Sequence, residues 1–155
     1  MSILAGDIVF VRGHTIISDA IEIITRSPYS HVALAVSSSE LLEAQAGEGV
    51  AIVKASKYAG VADVFRKSLH PNELEQIISK AKKHLGEKYD YFLDALEFVR
   101  CEIGIQLPYR EHAELICSML IADAFRPEHD PCPGIEYPDP GDLGKSHLWQ
   151  YVFSY

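Results

Sequence analysis

Along the first half of the chain, short apolar runs with β-branched and aromatic residues are separated by clusters of Gly, Ser and Pro. Residues 6–12, Gly-Asp-Ile-Val-Phe-Val-Arg, form such a run and predict a first strand. The period then changes: Ile17, Ala20, Ile21 and Ile24 fall on a helical stripe over residues 15–26, which Ser27-Pro28-Tyr29 ends. From Ser30 the strand pattern returns as His31-Val-Ala-Leu-Ala-Val36, three serines, and Glu40-Leu-Leu-Glu-Ala-Gln45, which together predict a hairpin. A turn at Gly47-Glu48-Gly49 leads into Val50–Val53, and Val61–Phe65 supplies a further strand. The spacing points to a small antiparallel sheet or partly closed barrel.

The second half is mostly helical. Pro71 suits a first helical position, Leu74, Ile77, Ile78, Ala81 and Leu85 form a stripe, and Gly86 suits the stop, so residues 71–85 predict a helix. Tyr89 to Ile103 reads as another, with Phe92, Leu96, Val99 and Ile103 in register. A third spans Glu114 to Phe125 on the stripe Ile116, Met119, Leu120 and Ala124. Arg126 to Lys145 is rich in Pro, Gly and Asp and reads as a long surface loop, and Leu148–Phe153 as a last strand closing the sheet. The expected class is therefore α+β in one domain over residues 1–155, an antiparallel sheet or small barrel packed against helices.

Cys117 falls in the first turn or two of the third helix, off its apolar stripe. The free N–H groups and partial positive charge of a helix start favour a thiolate, so a cysteine there can serve as a nucleophile. A small buried residue is the plainer alternative. Glu111 and Glu114 count against the nucleophile, because nearby carboxylates disfavour a second negative charge.

Composition narrows the partners. A net charge of −8 disfavours nucleic acid and anionic membranes. No run approaches the ~18–20 apolar residues of a membrane span, and the N-terminus has no basic region followed by an apolar stretch. Three widely spaced cysteines, 101, 117 and 132, suggest neither a disulfide framework nor a structural zinc site. A reduced, cytoplasmic protein without a cofactor is expected.

A thiol nucleophile needs a base, and the base needs an orienting group. Of the seven histidines, His70, His84, His129 and His147 fall in loops or on polar helix faces, and His14 and His112 in turns before helices. His31 opens an otherwise apolar strand. If the hairpin is centred on Ser38, His31 lies opposite Gln45 with Glu43 as its diagonal neighbour, about 7–8 Å away and on the same face. If it is centred on Ser37, Glu43 lies directly opposite. A polar pair on the open side of a half-solvated sheet is the alternative to a catalytic role.

Taken together, Gly6-Asp7-Ile8, Ser30-His31-Val32, Leu42-Glu43-Ala44 with Gly49-Val50, Lys88-Tyr89-Asp90 and Ile116-Cys117-Ser118 resemble the circularly permuted papain-fold hydrolases, the YiiX-like branch of the NlpC-type cysteine peptidases and amidases. In that branch the sheet comes first and the cysteine helix last, as here, and Pro138–Leu143 is similar to its C-terminal segment. The resemblance implies Cys117 as nucleophile, His31 as base and Glu43 as the orienting third residue, with Tyr89 lining the site near the oxyanion as a substrate-binding residue. Gln45, the alternative third residue if the hairpin is centred on Ser38, is the other expected substrate-binding residue. It implies amide hydrolysis through a thioester, with the oxyanion held by N–H groups at the start of the cysteine helix. Small peptides such as cell-wall stem peptides, or other N-acyl compounds, are the implied substrates, and ester or lipid acyl transfer is a related possibility. Two rivals remain: an inactive binding module of the same fold, and a metal-dependent hydrolase built on His31, Glu43 and another histidine, for which no paired ligand spacing is present.

Overall fold

In a computed structural model of the chain, residues 1–13, 28–45, 49–87 and 109–155 are described, those of 109–116 by their backbone alone. The expected helices over 15–26 and 89–103 lie outside the described residues. Among the described residues there are six strands: β1 (Ile8–Arg12), β2 (Tyr29–Ala35), β3 (Glu40–Gln45), β4 (Gly49–Lys54), β5 (Ala62–Arg66) and β6 (Gln150–Ser154). Three α-helices of the described residues accompany them: α1 (Pro71–Lys82), α2 (Tyr109–Phe125) and the short α3 (Pro140–Gly144). The strands form one antiparallel sheet in the order β4-β3-β2-β1-β5-β6, which makes the protein α+β.

The central strands are apolar on both faces because both faces are covered. Ile8, Phe10, Val32, Leu34 and Leu42 join the helices' Leu120, Ile121, Phe125 and Leu143 in one core. Val9, Val11, Ala33, Ala35 and Leu41 join Ile3, Ala55 and Val64 in a second core on the other side. Helix α2 packs on β2 and β3, and α1 packs on α2. Helix α1 starts at Pro71, where a missing N–H costs nothing, and the Glu73 carboxylate caps the His70 N–H at 2.7 Å. The chain turns after Lys82 and passes through Gly86 at φ +80°.

Two expectations need correction. Helix α2 begins at Tyr109, five residues before the predicted start, so Cys117 is its ninth residue and stands beyond the second turn. The pattern of apolar residues could not mark that start, because Arg110, Glu111, His112 and Glu114 carry no apolar stripe. The core-facing stripe is Cys117, Leu120, Ile121 and Ala124, so Cys117 lies on it, fully buried. Secondly, 126–145 is not simply a surface loop. Asp139 caps α3 by accepting from the Asp142 N–H at 2.7 Å, and Cys132, Pro140, Gly141 and Leu143 are buried. The indole of Trp149 donates to the Leu143 carbonyl at 2.9 Å and packs on Phe125 and Phe10, tying the segment to the core.

Candidate active site

The hairpin β2–β3 builds the site. Its backbone closes with the Val36 N–H donating to the Glu40 carbonyl, and Leu34 pairs with Leu42 and Ala35 with Leu41. This register centres the turn on Ser38, which makes Gln45 the residue opposite His31 by count and Glu43 its diagonal neighbour. Among the described residues the ladder ends at Leu34–Leu42, and farther from the turn side chains bridge the strands. His31 Nε2 lies 3.0 Å from Glu43 Oε2. Gln45 is partly buried and donates its side-chain amide to Glu43 Oε1, so it supports the carboxylate rather than the ring.

Glu43 is fully buried, and a buried carboxylate must be paired or neutralised. Two further groups arrive from the 3-10 turn Ala55–Tyr58 that follows β4. Lys57 Nζ donates to Oε1 at 2.8 Å, and the Tyr58 hydroxyl donates to Oε2 at 2.6 Å. Burial alone would push the Glu43 carboxyl up, but hydrogen bonds from His31, Lys57 and Tyr58 and the charge of His31 hold it down at about 2. The carboxylate is thus fixed as an anion. Burial and the bond to Glu43 push the Tyr58 hydroxyl well above the usual phenol range.

Cys117 completes the set. It interacts with the His31 ring by charge and by a side-chain hydrogen bond, while Nε2 of that ring serves Glu43. Burial lowers the affinity of the imidazole for a proton, but the charge and hydrogen bond of Cys117, together with Glu43, outweigh it and lift His31 to about 10. A ring held between a thiol and a buried carboxylate can take a proton from one while the other keeps its orientation.

Of the residues singled out in the sequence, Cys117, His31, Glu43 and Gln45 are therefore adjacent, whereas Tyr89, His14, the side chain of His112 and those of Glu111 and Glu114 lie outside the described residues. His84 and His129 form pairs with Glu87 and Glu73, at 2.8 and 3.0 Å, away from the hairpin. Lys57 and Tyr58 were missed. They sit in a turn without an apolar period, and their reach back to β3 is a tertiary contact. The buried carboxylates Asp7 and Asp63 differ in kind: each is bound by an arginine, Arg66 and Arg12, and among the described residues neither bonds a histidine. Cys117 is the ninth residue of α2, beyond the four free N–H groups of the helix start to which the sequence assigned the oxyanion.

No family model matches the chain, and no curated protein matches it. Among solved structures it is similar to the crystal structure of the metalloprotein YiiX from Escherichia coli O157:H7, with a TM-score of 0.58 and 16% identity over 100% of this chain and 99% of that one. The chain thus has a YiiX-like fold. Around Glu43 the donors of the described residues do not fit a metal ion. Among the described residues no group of three or more His, Cys, Asp or Glu is placed to hold one. The Glu43 oxygens already accept from His31, Gln45, Lys57 and Tyr58, and a cation would compete there with the Lys57 ammonium.

Proposed function

We propose that the protein is a thiol hydrolase of permuted papain-like topology that cleaves an amide bond, in a peptide or an N-acyl compound. The observation that carries this reading is the His31 ring, bonded through Nε2 to the buried Glu43 and sharing a hydrogen bond with Cys117. In the reaction the Cys117 sulfur, its proton already resting on the His31 ring, attacks the substrate carbonyl. The imidazolium returns that proton to the leaving nitrogen, the C–N bond breaks and a thioester remains. Water then attacks the thioester with His31 as base, releasing the acid and the thiol. Glu43 holds the ring and its tautomer and stabilises the imidazolium, without accepting the proton.

A second reading has its own support. Cys117 is fully buried on the core-facing stripe of α2, as a structural cysteine would be, which favours a binding module that keeps the fold without turnover. A panel of dipeptides, N-acyl amides and acyl esters, assayed with the wild type and Cys117→Ser, separates the two. The hydrolase reading expects turnover that the substitution abolishes and that a chelator leaves unchanged. Equal rates in both proteins would remove it. Preference for esters over amides would move the assignment toward acyl transfer or esterase chemistry.

A further inference from the structure

Glu43 receives more donors than an orienting carboxylate needs. One bond to the imidazole would fix the ring, yet both oxygens are occupied twice: Oε2 by His31 Nε2 at 3.0 Å and the Tyr58 hydroxyl at 2.6 Å, Oε1 by Lys57 Nζ at 2.8 Å and by Gln45. The two additional groups outside the hairpin are neighbours in one 3-10 turn. They are also coupled to each other and to the base. The Lys57 ammonium stands 5.0 Å from the Tyr58 ring centroid, a cation–π distance, and the Tyr58 ring lies 5.8 Å from the His31 ring. Tyr58 therefore stands beside the His31 ring, tilted 43° to it, and donates its hydroxyl to the His31 partner Glu43.

We propose that Tyr58 and Lys57 are positioning residues of the Cys117–His31–Glu43 site, acting through Glu43 to hold the imidazole in its orientation beside Cys117. The proposal rests on the hydrolase reading for its catalytic consequence, but not for its geometry. A carboxylate accepts in about four lone-pair directions, and here four donors fill them. Glu43 so occupied is a weak base, so the proton of the shared bond stays on Nε2, and the carboxylate cannot rotate without breaking a bond to a charged or buried donor. The ring is confined as a result. Because a misplacement of about 1 Å can cost on the order of 100-fold in rate, an outer pair of this kind affects turnover without touching the substrate.

The test uses Tyr58→Phe, which keeps the ring and removes the hydroxyl, Lys57→Met, which keeps the stem, and Lys57→Arg, which keeps the charge. Two readouts are taken on the full chain: kcat and KM with the best substrate of the panel, and the titration of the Glu43 carboxyl followed by carbon NMR. Tyr58→Phe and Lys57→Met are expected to lower kcat about tenfold or more with KM within roughly twofold. Both are also expected to raise the Glu43 midpoint from about 2 toward the ordinary carboxylate range, and Lys57→Arg to restore both quantities. A purely structural role would lower the melting temperature and leave the Glu43 midpoint in place. An unchanged midpoint in both Tyr58→Phe and Lys57→Met overturns the proposal. If the wild type hydrolyses nothing, the hydrolase reading fails on its own, and the Glu43 titration still decides whether the two residues hold the carboxylate.

Discussion

His31 and Glu43 are joined at 3.0 Å although the hairpin register makes them diagonal rather than opposite neighbours. The residue directly across by count, Gln45, is turned onto Glu43 instead. Charge explains the choice, since a carboxylate is a stronger acceptor for a ring N–H than an amide oxygen and the buried anion requires donors from several directions.

This relationship ranks the substitutions. If the proposed chemistry holds, His31→Ala removes the base and lowers kcat by about 10²–10⁴-fold. Glu43→Gln costs less, because the amide still accepts from Nε2 though it cannot stabilise the imidazolium. Gln45→Ala costs less than Glu43→Ala. Steady-state kinetics on the four folded variants check the order, and a larger loss for Gln45→Ala than for Glu43→Ala would make Gln45 the orienter.

The charge state of the ring is open to measurement without any substrate. His31 is expected to stay protonated well past neutrality and to titrate at about 10, with the proton held chiefly by Cys117 and further by Glu43. Nitrogen NMR of the imidazole follows this directly. Cys117→Ala should bring the midpoint down toward the ordinary histidine range. An unchanged midpoint in that variant would mean that thiol and ring do not interact.

Linkage gives a stability profile with a definite sign. The folded-state value of Glu43 is depressed, so its contribution is present above about 4.5 and is lost as the pH falls toward 2. The folded-state value of His31 is raised, so its contribution is complete below about 6.5 and is lost as the pH rises through about 10. Urea unfolding of the wild type is therefore expected to show a maximum between these limits as far as the two groups decide it. The difference between wild type and Glu43→Gln, on the order of 3 kcal/mol at neutral pH, should shrink below about pH 4.

The segment after α2 should behave as core. Leu143 is fully buried, and Leu143→Ala is expected to cost about 2–5 kcal/mol. Ile135, in the same stretch, is 41% exposed, and its replacement by Ala should stay within about 0.5 kcal/mol. Denaturant midpoints of the two variants give the comparison.

Gly6 holds φ +90° just before β1, and a Cβ there would stand 2.6 Å from the Leu74 Cδ1 of α1. Gly6→Ala should therefore destabilise by about 1–2 kcal/mol, a drop of a few degrees in melting temperature. Activity per folded molecule should be unchanged, because neither residue touches the His31 site.

The strands and the pairing of His31 with Glu43 were legible because a period of two fixes the face of every side chain in a hairpin, whichever of the two registers is chosen. The start of α2 was not, since its first two turns carry polar helix formers that leave no periodic trace. The earlier start sets Cys117 beyond the second turn, and its burial with Leu120, Ile121 and Ala124 sets it on the core-facing stripe. Pro140-Gly141-Asp142-Leu143 has the composition of a loop, and only the packing of Leu143 beneath Trp149 makes it part of the core. Lys57 and Tyr58 carry no local signal at all, because what they bind is 14 and 15 residues away.

The central claim is that Cys117 carries an acyl group during turnover, and trapping that adduct tests it most directly. The protein is mixed with a substrate from the panel, quenched in acid and digested, and the peptide containing Cys117 is weighed. The account expects the mass of the acyl group on Cys117, absent in Cys117→Ser and accumulating in His31→Ala more slowly than in the wild type. Hydrolysis that continues in Cys117→Ser, with no acyl group on Cys117 of the wild type, would contradict it.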